Sequence, residues 1–248
     1  MLPLKDDAPR ITTPYITYFL LISNILVFFF ELTLQSSGQL NAFLLQFGIV
    51  PAKIQIMLTN GGAVPHALVS HLGARYLTWA DVLVPIVTSM FLHGGWWHVI
   101  SNMWALWIFG DNVEDHLGHG LYLVFYLASG IAGALVHIIF NFSSTLPTLG
   151  ASGAIAGIMG AYFVLFPSAR VLTLVPFFFV FFLWLPAWIF VGYWFLVQFL
   201  SGAATVIAAN TANSGGVAVW AHVGGFLAGI ALIKMLPSRP RRYRYYGL

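Results

Sequence analysis

The sequence predicts an all-α polytopic membrane protein with six transmembrane helices and both termini cytoplasmic. Three observations lead there. Of the 248 residues, 60% are hydrophobic and 7% charged, against about 25% charged in an average soluble domain, so polar cover for a globular surface is missing. Of the 17 charged residues, four lie in the first ten positions and four are arginines between 239 and 244, which leaves nine from Ile11 to Ser238. Six apolar stretches reach or approach the roughly 20 residues that cross about 30 Å of hydrocarbon. A soluble enzyme, a disordered chain and a disulfide scaffold are excluded together; cysteine is absent.

The elements follow in order. Lys5, Asp6, Asp7 and Arg10 precede the first apolar stretch, 15–34, which has no small-residue cleavage site and is expected to be a retained span. The connection 35–85 is not fully polar. Its Val82-Leu83-Val84-Pro85-Ile86-Val87 run is too short to cross and too apolar to float free, so it is expected to lie in the interface or re-enter the membrane. The second span, 95–110, is followed by an acidic turn, Asp111-Asn112-Val113-Glu114-Asp115-His116. The third covers 120–140, and the fourth, 150–166, stops at Pro167. The fifth, 177–200, is expected to start after Pro176 and bend near Pro186. The sixth, 216–236, closes at Pro237.

Six spans put both termini on one side, with Lys5, Arg10, Arg170, Lys234, Arg239, Arg241, Arg242 and Arg244 there against Lys53 and Arg75 opposite. Positive charge marks the cytoplasmic side. The expected organisation is one domain over 1–248, a six-helix core at 14–236 and a basic tail at 237–248. The tail is expected to anchor topology on anionic lipid rather than to bind nucleic acid.

Polar side chains inside spans are costly and default to functional candidates. Three clusters qualify: His98 with Asn102 in span two, Gly150-Ala151-Ser152-Gly153 opening span four, and Ala221-His222-Val223-Gly224-Gly225 opening span six. His98 and Asn102 share a helical face at i,i+4; Ser152, Ala156 and Gly160 form another, and His222, Gly225 and Gly229 a third. Gly153 and Gly157 add a small-xxx-small pair, the pattern that lets membrane helices approach closely. Ser152 and His222 each lie 14 residues before the last residue of their span, about 21 Å at 1.5 Å per residue. The two sit at matched depth, below the outer surface.

A serine hydroxyl needs a base to become a nucleophile, and neutral histidine is the usual one near pH 7. Ser152 opens a helix whose first N–H groups lack helical partners, and Asn102 and His98 offer further donors to an oxyanion. Spans four and six hold no Asp or Glu, so a Ser152–His222 dyad is expected rather than a triad. Other readings remain at this point. Gly-Ala-Ser-Gly runs commonly serve packing, His98 beside Trp96 and Trp97 suits an aromatic belt, and Glu31 suits a packing or snorkelling role. His93, His98 and His137 lack the spacing and acidic partners of a metal site, so neither metal nor other cofactor is expected.

Together these segments resemble the rhomboid intramembrane serine proteases. The resemblance runs from about Val87 to Leu236 and rests on Phe91-Leu92-His93-Gly94-Gly95-Trp96-Trp97-His98-Val99-Ile100-Ser101-Asn102-Met103, Phe109-Gly110-Asp111-Asn112-Val113-Glu114-Asp115, Gly150-Ala151-Ser152-Gly153 and Ala221-His222-Val223-Gly224-Gly225-Phe226-Leu227-Ala228-Gly229. It implies that Ser152 is the nucleophile, His222 the base, and His98, Asn102 and the Ser152 backbone N–H the oxyanion donors. It implies transmembrane protein substrates entering past span five. Some relatives stack the histidine on an aromatic ring four residues after the serine; here that position is Ala156, so His222 needs another orienting contact. The expected activity is cleavage of membrane-spanning segments near their outer end. The alternative is an inert relative that binds such segments for quality control. A transporter would show repeats, and none is visible. The compact chain suggests a bacterial cytoplasmic membrane.

Overall fold

A computed structural model describes residues 1–176, 180–207 and 218–238. Strand β1 (Leu2–Asp6) leads into helix α1 (Tyr15–Ser36). Four short helices follow: α2 (Leu40–Phe47), α3 (Pro51–Asn60), α4 (His66–Leu72) and α5 (Ala80–Thr88). Next come α6 (Trp96–Leu117), α7 (His119–Phe140) and α8 (Ser152–Leu165), the hairpin β2 (Arg170–Pro176) and β3 (Val180–Pro186), then α9 (Ala187–Ile207) and α10 (Val219–Met235). Residues 15–36, 119–140 and 187–205 form helices long and apolar enough to cross a membrane. The segments 80–91 and 96–117 pass the same test as a pair bent by 75°, while α8 and α10 are shorter apolar helices.

Helix α8 is the centre of the bundle. Every residue from Gly153 to Tyr162 is buried, as expected of a helix that is apolar all round. Its tightest neighbour is α10, and the sequence makes that possible through glycine. A Cβ at Gly225 would lie 2.0 Å from the Gly153 carbonyl oxygen, one at Gly229 2.1 Å from the Gly157 oxygen, and one at Gly160 2.3 Å from the Phe226 oxygen. Gly157 instead faces α7, where its Cβ would lie 2.3 Å from the Ser129 Cβ. Gly153 needs no such relief on its own account, since a Cβ there would meet nothing closer than 3.5 Å.

Three expectations change. The acidic segment 111–116 is not a turn; it continues α6 to Leu117. Its carboxylates serve the chain entering α1, whose N-cap Pro14 has no side-chain oxygen to offer. Buried Glu114 accepts the backbone N–H of Ile16 at 2.9 Å and of Thr17 at 2.7 Å, and Asp115 accepts that of Thr12 at 2.8 Å. The N–H groups of Ile16 and Thr17 are orphan donors of a helix start, and the carboxylate lies at the positive end of the helix dipole.

The all-α expectation also gives way. β1, β2 and β3 form an antiparallel sheet in that order. The fifth span therefore does not begin at residue 177. Residues 177–179 lie outside the described part, 180–186 are strand, and Pro186 precedes the helix start at Ala187 rather than bending it. Hydropathy alone does not separate an apolar strand from a helix. Hydrogen bonds from Arg170 to Asp7 tie β2 to the N-terminal segment and hold the Asp7 carboxyl below the usual carboxylate range.

The connection 35–85 carries a small core of its own, including Val50, Ile56, Met57, Leu72, Leu77 and Val82, separate from the main one. The expected start of span six at 216 and the basic residues 239–244 lie outside the described residues.

Gly225→Val should destabilise the fold by more than the roughly 1–3 kcal/mol of ordinary overpacking, read as a lowered thermal unfolding midpoint in detergent, because the obstruction is backbone. Gly120→Ala, whose Cβ meets nothing within 4 Å, should not lower it.

Candidate active site

Ser152 is the first residue of α8, and His222 lies in the first turn of α10. The glycine contacts just described bring these two helix starts together. The Ser152 Oγ and His222 Nε2 are 2.7 Å apart. His222 is 6% exposed and Ser152 is half-buried. On the other side of the ring, Nδ1 stands 2.9 Å from the Gln198 Oε1 on α9. An amide oxygen only accepts, so Nδ1 carries the proton and Nε2 is left as acceptor for the serine hydroxyl. The Trp194 ring lies 5.7 Å from the imidazole, tilted at 38°. This answers the question left by Ala156: the histidine is held from α9. Gln198 is the one amide or charged side chain in the stretch 177–200, and the cost of a polar group in a span was the signal available to find it.

His98 and Asn102 come from the first two turns of α6 and face the same place. His98 Nδ1 accepts the Gly94 backbone N–H at 3.4 Å, which leaves its Nε2 protonated. That Nε2 lies 2.7 Å from where a Gly150 Cβ would be, and the Asn102 Nδ2 3.5 Å from it. Gly150 has φ +122°, a backbone that favours glycine, and its N–H donates to the Ser89 carbonyl at 2.9 Å. So the loop before Ser152 presses its bare backbone against the two side chains. One Asn102 N–H donates to His93 Nε2 at 3.0 Å; the other remains for the site. His93 is held in turn by buried Glu31, whose carboxylate accepts its backbone N–H at 3.1 Å. Glu31 therefore serves the site's frame rather than a membrane surface.

A recess of about 360 Å³, counted with its open mouth, reaches Ser152 and is lined in part by Ile49, Ile86, Met90, Leu149, Gly150 and Ala221. His137 stands apart: its Nε2 pairs with the Thr148 Oγ at 2.8 Å, which ties α7 to the loop ahead of α8. Among the described residues no three His, Cys, Asp or Glu side chains gather as metal ligands would.

A half-buried serine and a buried histidine thus meet at two helix starts, with two side-chain donors beside them. A family model described as the rhomboid domain matches residues 80–239, well over half the chain. The chain belongs to the rhomboid family. It is 34% identical over 152 residues to rhomboid protein 1, mitochondrial, of Saccharomyces cerevisiae, covering 59% of this chain and 40% of that protein. It is 39% identical over 108 residues to rhomboid protease GluP of Bacillus subtilis, covering 41% and 20%. Against the human presenilin-associated rhomboid-like protein, mitochondrial, it is 29% identical over 156 residues, covering 59% and 36%. The chain thus spans 40% or less of the length of these relatives. Family and apolar helices make this rhomboid an integral membrane protein. Relatives named as mitochondrial stand beside the Bacillus one, so the likeness gives no support to a bacterial membrane in particular.

Gly150→Ala should destabilise this rhomboid by about 1–3 kcal/mol, read as a lowered unfolding midpoint. Gly38→Ala, at φ +73° but with nothing within 4 Å, isolates the backbone strain. The loss at Gly150 should exceed it by the cost of displacing His98.

Proposed function

We propose that this rhomboid is an intramembrane serine endopeptidase that cleaves transmembrane segments of other proteins near their outer end. The observation that carries the reading is the 2.7 Å contact between the Ser152 Oγ and His222 Nε2, with His98 and Asn102 beside it. The Ser152 oxygen attacks the scissile carbonyl while its proton passes to His222 Nε2. Negative charge collects on the former carbonyl oxygen. The His98 Nε2–H, the free Asn102 N–H and the backbone N–H of Ser152 receive it. His222 then protonates the leaving amine, and water admitted to the site releases the acyl group by the reverse proton path. No cofactor is needed for this sequence of steps.

In this reading the chain is one membrane domain. The spans are α1, the bent α5–α6 pair, α7, α8, α9 and α10, with both termini cytoplasmic and residues 237–248 a basic tail on anionic lipid. The lengths of α8 and α10, 14 and 17 residues, support a site sunk below the outer surface. At 1.5 Å per residue neither crosses about 30 Å. The connection 35–85, with α5, rests in the outer leaflet. Substrates are membrane-spanning segments that enter past α9 and unwind at the cut, because a continuous helix shields its peptide bonds.

Ser152→Ala and His222→Ala should each reduce cleavage of a reporter transmembrane substrate in liposomes to background. Asn102→Ala should lower kcat by about 10²–10³. Parent protein that binds the reporter but never cuts it would identify a membrane-segment binder instead. A fluorophosphonate probe should label Ser152 only from the face opposite the termini; labelling from the termini's face reverses the topology.

A further inference from the structure

We infer that Gln198 is a positioning residue for the base, a neutral third member that sets the tautomer and the aim of His222 from α9. The inference rests on the reading of Ser152 and His222 as nucleophile and base. It starts from a requirement. An imidazole between two partners works as a base toward serine only if the nitrogen facing the hydroxyl is unprotonated. His222 sits on α10, and the neighbouring position on α8 that would carry a stacking ring is Ala156, so α8 offers the ring no flat surface. The described groups on the far side of the imidazole are Gln198, with Oε1 at 2.9 Å from Nδ1, and Trp194, 5.7 Å away. They are four residues apart on α9 and share its face. One supplies direction, the other bulk.

The choice of an amide has a physical reason. A carboxylate here would be an unpaired negative charge among apolar residues, and the described surroundings hold no cation to balance it. Burying such a charge costs far more than burying an amide. An amide oxygen accepts the Nδ1–H and fixes the tautomer without adding charge. It is a weaker stabiliser of the imidazolium that forms in the reaction. Gln198 thus acts on the ground-state geometry of the base, and through His222 on the rate of attack; it touches neither Ser152 nor the oxyanion donors.

The test uses the full chain in detergent micelles and follows Ser152 acylation by a fluorophosphonate probe, which needs no helical substrate to enter. Gln198→Leu, similar in size and without the acceptor, should slow acylation at least about tenfold, a modest part of what general-base catalysis supplies. Gln198→Met, which keeps the length of the side chain but offers no amide oxygen, should be slowed as much as the Leu variant. With a soluble ester substrate the loss should appear in kcat with KM little changed. Acylation by Gln198→Leu at the parent rate overturns the inference, and so does parent-rate acylation by the Met variant, which would mark a packing role. Should the Leu variant fail to fold, Gln198→Asn, which withdraws the oxygen by one methylene, is read by the same criterion. Failure of the reading beneath is distinct: there the probe labels Ser152→Ala as fast as the parent.

Discussion

The rest of the structure depends on a contact in which backbone meets backbone. Carbonyl oxygens of Gly153 and Gly157 on α8 occupy the space where side chains of residues 225 and 229 on α10 would be, and Phe226 does the same to Gly160. Two helices that close cannot slide without collision, so the axial register of α8 and α10 is fixed within a fraction of a residue. That register places two helix starts side by side. Ser152 and His222 are the residues there, and their 2.7 Å separation is a consequence of glycine placement several residues away. The same packing explains why α8 is buried along ten consecutive residues without a strong apolar stripe: it has no side free.

A second constraint is the placement of charge. Charged groups in the described core are few, and those that are buried have specific employment. Glu114 completes the start of α1, and Glu31 fixes the backbone at His93, which in turn meets Asn102. Neither carboxylate reaches Ser152 or His222. The groups around the serine are imidazoles, amides and backbone N–H, all able to sit in a low-dielectric interior without a counter-ion. Chemistry proposed for this site therefore draws on dipoles already oriented at rest, which is where electrostatic preorganisation is strongest. Its donors are aimed by partners: Gly94 sets the proton on His98, and His93 occupies one hydrogen of Asn102.

Much of this was legible in the residues, and the part that was not has a physical cause. Small residues at helical spacing, two polar clusters at equal depth and an amide beside a histidine single out Ser152, His222, His98 and Asn102 as candidates. Glycines 225 and 229 lie against the carbonyls of Gly153 and Gly157, so Gly153 contributes its carbonyl rather than its missing side chain. Long-range partners were not legible. Nothing in the spacing of Asp111 to Asp115 says that a helix about a hundred residues earlier needs its first N–H groups satisfied, so the acidic run looks like a turn. The stretch 180–186 alternates nothing and is apolar on both faces, so it reads as span although it is strand. Gln198 was visible as a polar residue in a span, but its partner is 24 residues away on another helix.

The sheet and the base meet on one element. β3 ends at Pro186 and α9 begins at the next residue, so the strand that pairs with β2, and through it with β1, is the rigid root of the helix carrying Gln198 and Trp194. Of the long apolar helices, α9 is the least enclosed: 22% of its apolar window is buried, against 33% for α1 and 39% for α7. Its first residue follows β3 directly, so the sheet fixes one of its ends. Any separation of α9 from α10 would take the Gln198 oxygen from His222 and leave the ring free to rotate or exchange tautomers. A bundle of this kind links two properties through a single hydrogen bond: how far α9 stands from α10, and whether the nitrogen facing Ser152 is the one able to take its proton.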